Sequence, residues 1–312
     1  MNLFYVIIGL VLLVLGGNWL LKSAVGLSLK FNISKIIIGL TVVSFATSAP
    51  EMIVSIEAAL DGFPDIAVGN VVGSNIGNIG LVLGVVLLIN AIQVETSFYA
   101  TDWPMKMLAS FLLYIFLLGD GVLSRVEGFI FIAILIAFII YLIRKNKTIV
   151  SDSEELLSDE NMSYLTIFGL LIAGSVGLWA GSELLIKGAV NLAQSLGVSN
   201  RIIAVTVVSI GTSVPELASS VIAALKKEND ISIGNIIGSN IFNILSVLGI
   251  TAIIKPINHI DPKIIGNDIY WMLGFALALL PLVFLPKRNS LSLKEGTLLL
   301  TAYCIFIYLT VK

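Results

Sequence analysis

Charge is what this sequence has least of. Asp, Glu, Lys and Arg make up 12% of its 312 residues, about half the roughly 25% of a soluble domain. The net charge is −2, spread over short loops, and no basic stripe of the kind that binds nucleic acid occurs. The single cysteine, Cys304, sits in the last apolar run, which excludes an intrachain disulfide framework and a cysteine metal cluster. The single histidine, His259, reads as an ordinary loop residue, so a histidine-rich zinc centre is excluded too. The N-terminus, "MNLFYVIIGLVLLVLGGNWLL", lacks the basic n-region and small-residue cleavage site of a signal peptide. It reads as a first spanning helix that stays.

Apolar runs, by contrast, recur from end to end, and 57% of the residues are hydrophobic. Windows of about 18 to 25 apolar residues place ten spans at 3–21, 36–60, 66–90, 104–118, 126–143, 163–186, 201–225, 231–254, 268–285 and 293–311. The fold class expected is an all-α multi-pass membrane protein. One clearly polar stretch, 144–162, "RKNKTIVSDSEELLSDENM", reads as a linker between a first unit, 1–143, and a second, 163–312. Of the 18 Lys and Arg, 12 fall in loops on the linker's side, with Lys106 counted at the edge of the loop before span four. By the positive-inside bias the linker is cytoplasmic and both termini lie outside.

A shift of 165 residues superposes the chain on itself. "TVVSFATSAPE" (41–51) lands on "TVVSIGTSVPE" (206–216) with 8 of 11 positions identical, and "GNVVGSNIGN" (69–78) on "GNIIGSNIFN" (234–243) with 7 of 10 identical. The same offset aligns Gly16 with Gly181 and Lys22 with Lys187. Each unit then holds five spans. Five is odd, so the second copy enters the membrane from the opposite side: two inverted-topology five-helix repeats, an arrangement of many secondary transporters, with the site near the midplane at the repeat interface.

The second span of each unit carries S-x-x-T-S-x-P-E. Ser44, Thr47, Ser48 and Glu51 share one helix face at i, i+3, i+4 and i+7, as do Ser209, Thr212, Ser213 and Glu216. The third span adds Ser74 with Asn78, and Ser239 with Asn243, at i, i+4. A carboxylate at the bilayer centre costs about 2.5 to 3.5 kcal/mol even on lenient scales, which makes each a functional hypothesis by default. Pro50 and Pro215 lack an N–H, so the carbonyls of Ala46 and Gly211 lose their helical donors, and the helices should loosen around 46–49 and 211–214. Such backbone is tolerated at membrane depth only where it is buried in protein or lines a cavity. Carboxylates, hydroxyls, amides and freed carbonyls make an all-oxygen site suited to a hard cation such as calcium, and no soft ligand favours copper or zinc. Ser55, Ser219 and Ser220 read as packing residues. Asn70, Asn75, Asn235 and Asn240 read as hydrogen-bonding between helices or to broken backbone, and Asp120 as a turn residue.

On these paired motifs the sequence resembles the cation/calcium exchanger superfamily, in its sodium/calcium exchanger branch of prokaryotic type. The resemblance implies an antiporter that exchanges Na⁺ for Ca²⁺ by alternating access, span one and span six sliding over the rest. It implies Glu51 and Glu216 as shared carboxylates, with the carbonyls of Thr47 and Thr212 completing a calcium position. Ser48, Ser213, Ser74, Ser239 and the carbonyls of Ser44 and Ser209 would serve sodium, and Asn78 and Asn243 would line the centre. No cofactor and no enzymatic activity are expected. The partners are the two ions and the lipid bilayer, one chain sufficing for the site. Ala46 stands where the family pattern has glycine, so the half-sites are expected to differ in flexibility. Potassium-dependent relatives place an aspartate at the position of Asn243, so no potassium requirement is expected. The alternatives are a proton/calcium antiporter of the same fold and, from another class, a passive cation channel with acidic rings. An enzyme would need a base beside Ser48 or Ser213, and no histidine or lysine is near either in sequence.

Overall fold

The computed structural model of the chain describes residues 2–145, 162–195, 211–258 and 260–311. Nearly all are helical: α1 Asn2–Phe31, α2 Lys35–Thr47, α3 Ala49–Leu60, α4 Pro64–Ile89, α5 Phe98–Asp120, α6 Arg125–Lys145, α7 Tyr164–Ser195, α8 Val214–Leu225, α9 Asn229–Ile254, α10 Ile264–Phe284 and α11 Leu293–Val311. Eight of these are long and apolar enough to cross a membrane, and α2 with α3 makes a ninth, bent by 44° at the break between them. The first part of the expected seventh span, 201–225, lies outside the described residues, as do His259 and most of the polar linker.

Local chemistry accounts for the helix starts. Before α6 the Ser124 amide and hydroxyl both donate to Glu127 Oε2, at 2.7 and 2.8 Å. Ser292 and Glu295 repeat the pattern before α11, both at 2.7 Å. Each is a capping box that satisfies donors a helix terminus leaves open. Pro50, Pro64 and Pro215 occupy early helical positions, where a missing N–H costs nothing.

Two hydrogen-bonded staples tie the loops. Strands β1, Ile92–Gln93, and β2, Ser290–Leu291, pair antiparallel, and Leu123 bridges Ile257.

The centre belongs to α4 and α9, whose most apolar windows are 72% and 89% buried, against 28% in α1, α6 and α11. A sequence buried on all sides cannot face lipid, so these two helices are the core and the others the surround. Helix α2 lies directly on α9, close enough that a Cβ at Gly234 would come within 2.6 Å of the Ile36 carbonyl oxygen. Helices α1 and α7 meet backbone to backbone: a Cβ at Gly16 would sit 2.7 Å from the Leu178 nitrogen, and one at Gly174 2.6 Å from that of Leu20. Small residues drive such contacts in lipid, where burying apolar area offers no gain.

Three expectations need correction. Helix α1 runs to Phe31 instead of ending near 21, and α7 to Ser195 instead of 186; the added part of α1 packs within the protein, with Ser23, Ala24, Leu27 and Ser28 buried. Helix α5 begins at Phe98, not 104. A π-helical turn at Phe98–Asp102 precedes Pro104, so the proline is not the start. Lys106 therefore lies inside the helix, 1% exposed, with no partner for Nζ among the described residues. It is not a loop charge.

Candidate functional site

Both proline breaks have the same shape. Ser48 leaves the helical region at φ −85°, ψ 3°, and Ser213, its counterpart 165 residues on, sits at φ −87°, ψ 4°. After each, a new helix begins, with Glu51 and Glu216 in its first turn. A helix N-terminus carries a partial positive charge that favours a carboxylate there. Both glutamates are completely buried.

Helix packing brings the polar faces together. The Thr47 hydroxyl donates to Asn235 Oδ1 at 3.2 Å and meets the Ser239 hydroxyl at 3.2 Å. In the equivalent place the Ser74 and Thr212 hydroxyls meet at 3.4 Å. Ser48 donates to Glu216 Oε1 at 3.3 Å, joining the first break to the second carboxylate. Asn243 Nδ2 donates to Asn75 Oδ1 at 3.2 Å. The Ser44 hydroxyl donates to the carbonyls of Gly39 and Asn235 at 2.8 and 3.0 Å, while its own carbonyl accepts from the Ser48 amide at 2.9 Å. Thus Ser44, Thr47, Ser48, Ser239 and Glu216 are linked around α9, and Ser74 with Thr212 beside them. Ser213 is buried without a hydrogen bond to Glu51. Ser209 lies outside the described residues.

Several atoms of the cluster stand open. Among the described residues both Glu51 carboxylate oxygens, Glu216 Oε2, both amide atoms of Asn78, Asn243 Oδ1 and Asn240 Oδ1 are buried with no protein partner. Buried polar groups in native proteins are nearly always paired, and an orphaned one calls for an explanation such as an ion. Three carboxylate oxygens, with one amide oxygen each of the motif residues Asn78 and Asn243, are thus left open, and oxygens of this kind are what hard cations bind.

The remaining polar residues support the scaffold. Asn70 donates to the Glu51 carbonyl and to Ser55 Oγ at 3.3 and 3.1 Å. Asn235 donates to Ser219 and Ser220 at 2.8 and 2.9 Å. Asn75 donates to the Asn240 carbonyl at 3.2 Å, and Asn240 to that of Ile236 at 2.8 Å. The Val122 amide donates to Asp120 Oδ1 at 3.0 Å, an Asx turn. Sequence reasoning missed Ser182, whose hydroxyl donates to the Gly211 carbonyl at 2.9 Å. The signal available was its register: Ser182 follows the repeat glycine Gly181, and its counterpart is Gly17.

A cavity of about 240 Å³ lies between Ile53 and Glu57 of α3 and Trp179, Glu183 and Ile186 of α7, with Gly211 and Thr212 in its wall.

Comparison with known proteins gives a consistent picture. The putative antiporter CaxA of Alkalimonas amylolytica is 40% identical over 98% of this chain and 97% of its own length. The sodium/calcium exchanger MaX1 of Methanosarcina acetivorans is 28% identical over 98% and 97%. The solved structure of the sodium-calcium exchanger NCX_Mj soaked with 10 mM Na⁺ and zero Ca²⁺ superposes with a TM-score of 0.83 at 29% identity, covering 98% of each chain. The profile of the family described as sodium/calcium exchanger protein matches residues 1–144 and 166–312, and the chain therefore belongs to that family of membrane cation exchangers.

Proposed function

We propose that this chain is an Na⁺/Ca²⁺ antiporter that works by alternating access, electrogenically and without potassium. The observation that carries the reading is the set of unpartnered buried oxygens on Glu51, Glu216, Asn78 and Asn243, the two glutamates each following one of two matching helix breaks. Those residues, with Ser48, Ser213, Ser74, Ser239 and the carbonyls of Thr47, Thr212, Ser44 and Ser209, are the proposed ion ligands. The names of MaX1 and NCX_Mj favour sodium as the counter-ion. The architecture proposed is ten spans in two inverted repeats, 1–143 and 163–312, joined by a cytoplasmic linker, 144–162, with both termini outside. Two observations support the duplication: Ser48 and Ser213 share one backbone geometry, and the staple at Ile92 has its counterpart at Ile257, 165 residues on; the inversion follows from the odd number of spans proposed in each unit.

Charge gives the mechanism its content. One Ca²⁺ against Glu51 and Glu216 is neutral, whereas three Na⁺, the number the family resemblance implies, leave one positive charge. Crossing with sodium then moves charge through the membrane field, worth about 2.3 kcal/mol per 100 mV.

The test is calcium-45 uptake into proteoliposomes loaded with sodium and diluted into sodium-free buffer, with a valinomycin-set potential. Uptake that needs the sodium gradient, responds to voltage and ignores external potassium (with the potential held constant) is the expected result. Uptake driven by a pH gradient alone would reassign the fold to proton/calcium antiport, and uptake without any counter-ion gradient would make it a channel.

A further inference from the structure

A serine inside a helix ordinarily donates back to a carbonyl of its own helix, as Ser175 of α7 does to Leu171 at 2.8 Å. Ser182, two turns further along α7, does not. It reaches out of its helix to the Gly211 carbonyl at 2.9 Å, four residues before Pro215, the very carbonyl that the proline deprives of its donor. Ser182 is 4% exposed, and together with Gly211 and Thr212 it lines the inner wall of the cavity between α7 and α3.

The first unit has no such bond. At the 165-residue offset Ser182 corresponds to Gly17 and Gly211 to Ala46. Gly17 has no side chain to offer, and a Cβ there would collide with Cδ1 of Ile222. No described side chain donates to the Ala46 carbonyl. Helix α7 is joined by backbone contact to α1, while the cavity parts it from α3. The bond from Ser182 is therefore a polar tie between the α1–α7 pair and the break that precedes Glu216.

We propose that Ser182 is a positioning residue: it latches the α1–α7 pair to the second helix break, orients the Gly211–Thr212 backbone, and favours the state open to the cavity side. This rests on the alternating-access reading above. When α7 moves relative to α8 the bond must break, and the freed carbonyl is left to water or a passing ion. The latch sits on one half-site only, so its loss acts with opposite sign on the two faces of the membrane. A fractionally populated open state lowers apparent affinity by that fraction.

The test uses Ser182→Ala and Ser182→Thr in the full-length protein. In sided proteoliposomes Ser182→Ala is expected to raise the half-saturating Ca²⁺ on the cavity face by about twofold to tenfold, the worth of one hydrogen bond, and to lower it on the opposite face. Ser182→Thr, which keeps the hydroxyl, restores parental sidedness. Equal shifts on both faces, or none, overturn the latch. A second readout is independent of the driving ion: Ile53→Cys, at the cavity wall, in a Cys304→Ser background, labelled by a charged thiol reagent. Ser182→Ala is expected to slow that labelling, and unchanged labelling refutes the latch. If the parent protein shows no sodium-driven uptake, the exchange reading fails, yet the labelling still decides the latch.

Discussion

Ser48 donates its hydroxyl to Oε1 of Glu216 over 3.3 Å, so the break in one helix holds the carboxylate that follows the break in the other. The reciprocal bond, from Ser213 to Glu51, is absent, and both Glu51 oxygens stand unpartnered among the described residues. The two carboxylates of the cluster are thus unequal: one is partly satisfied by the protein, and the other has no protein partner among the described residues.

Glu51→Gln separates stability from function. An uncompensated buried charge is costly to a fold, and the glutamine removes it without changing shape. In ion-free detergent the variant is expected to melt at a temperature at least as high as the parent. Its half-saturating Ca²⁺ is expected to rise by about a hundredfold, the cost of removing one partner of a buried charge pair. Thermal unfolding and calcium-45 uptake on the same preparation check both halves; a variant that melts lower and transports normally contradicts the assignment.

Asn243→Asp changes the charge of the loaded carrier. Aspartate has no N–H to donate to Asn75 Oδ1, which now accepts at 3.2 Å, and it adds a third carboxylate. The calcium-loaded cluster then carries one negative charge and the sodium-loaded cluster none. Calcium–calcium exchange is expected to be insensitive to voltage in the parent and voltage-dependent in the variant. Calcium-45 exchange at two valinomycin-set potentials measures this directly.

Pro50→Ala returns an N–H to the helix and lets the Ala46 carbonyl regain its donor. The turn at Ser48, held at φ −85° and ψ 3°, is expected to relax toward a straight helix and carry Glu51 out of register. Exchange is expected to fall on the order of tenfold to a hundredfold, the usual price of an ångström-scale misplacement, while the melting temperature rises. A variant that loses both stability and transport would show that the break is built into the packing and is not held by the proline.

Much of the site was legible in the sequence because it rests on properties of single segments. A missing proline N–H breaks a helix wherever it stands, and both breaks fall inside the intervals 46–49 and 211–214. The i, i+3, i+4, i+7 spacing puts Ser44, Thr47, Ser48 and Glu51 on one face whatever they touch. The asparagines outside the central pair took scaffold roles because an amide in lipid must pair with a neighbour. Lys106 was misread for a physical reason: its proline neighbour signals a helix start, and only the π turn at Phe98–Asp102 moves that start upstream and buries the lysine.

By itself, then, the sequence determined the membrane class, the duplicated unit, the two breaks and the chemistry of the polar faces, since each follows from composition, period, offset or a backbone group that is simply absent. The tertiary structure decided which amide pairs with which, why Ser48 meets Glu216 while Ser213 leaves Glu51 alone, and how Ser182 caps the Gly211 carbonyl. Those facts depend on where helices distant in the chain come into contact. In lipid that contact is set by small residues and shape, not by a hydrophobic stripe that can be read along a segment.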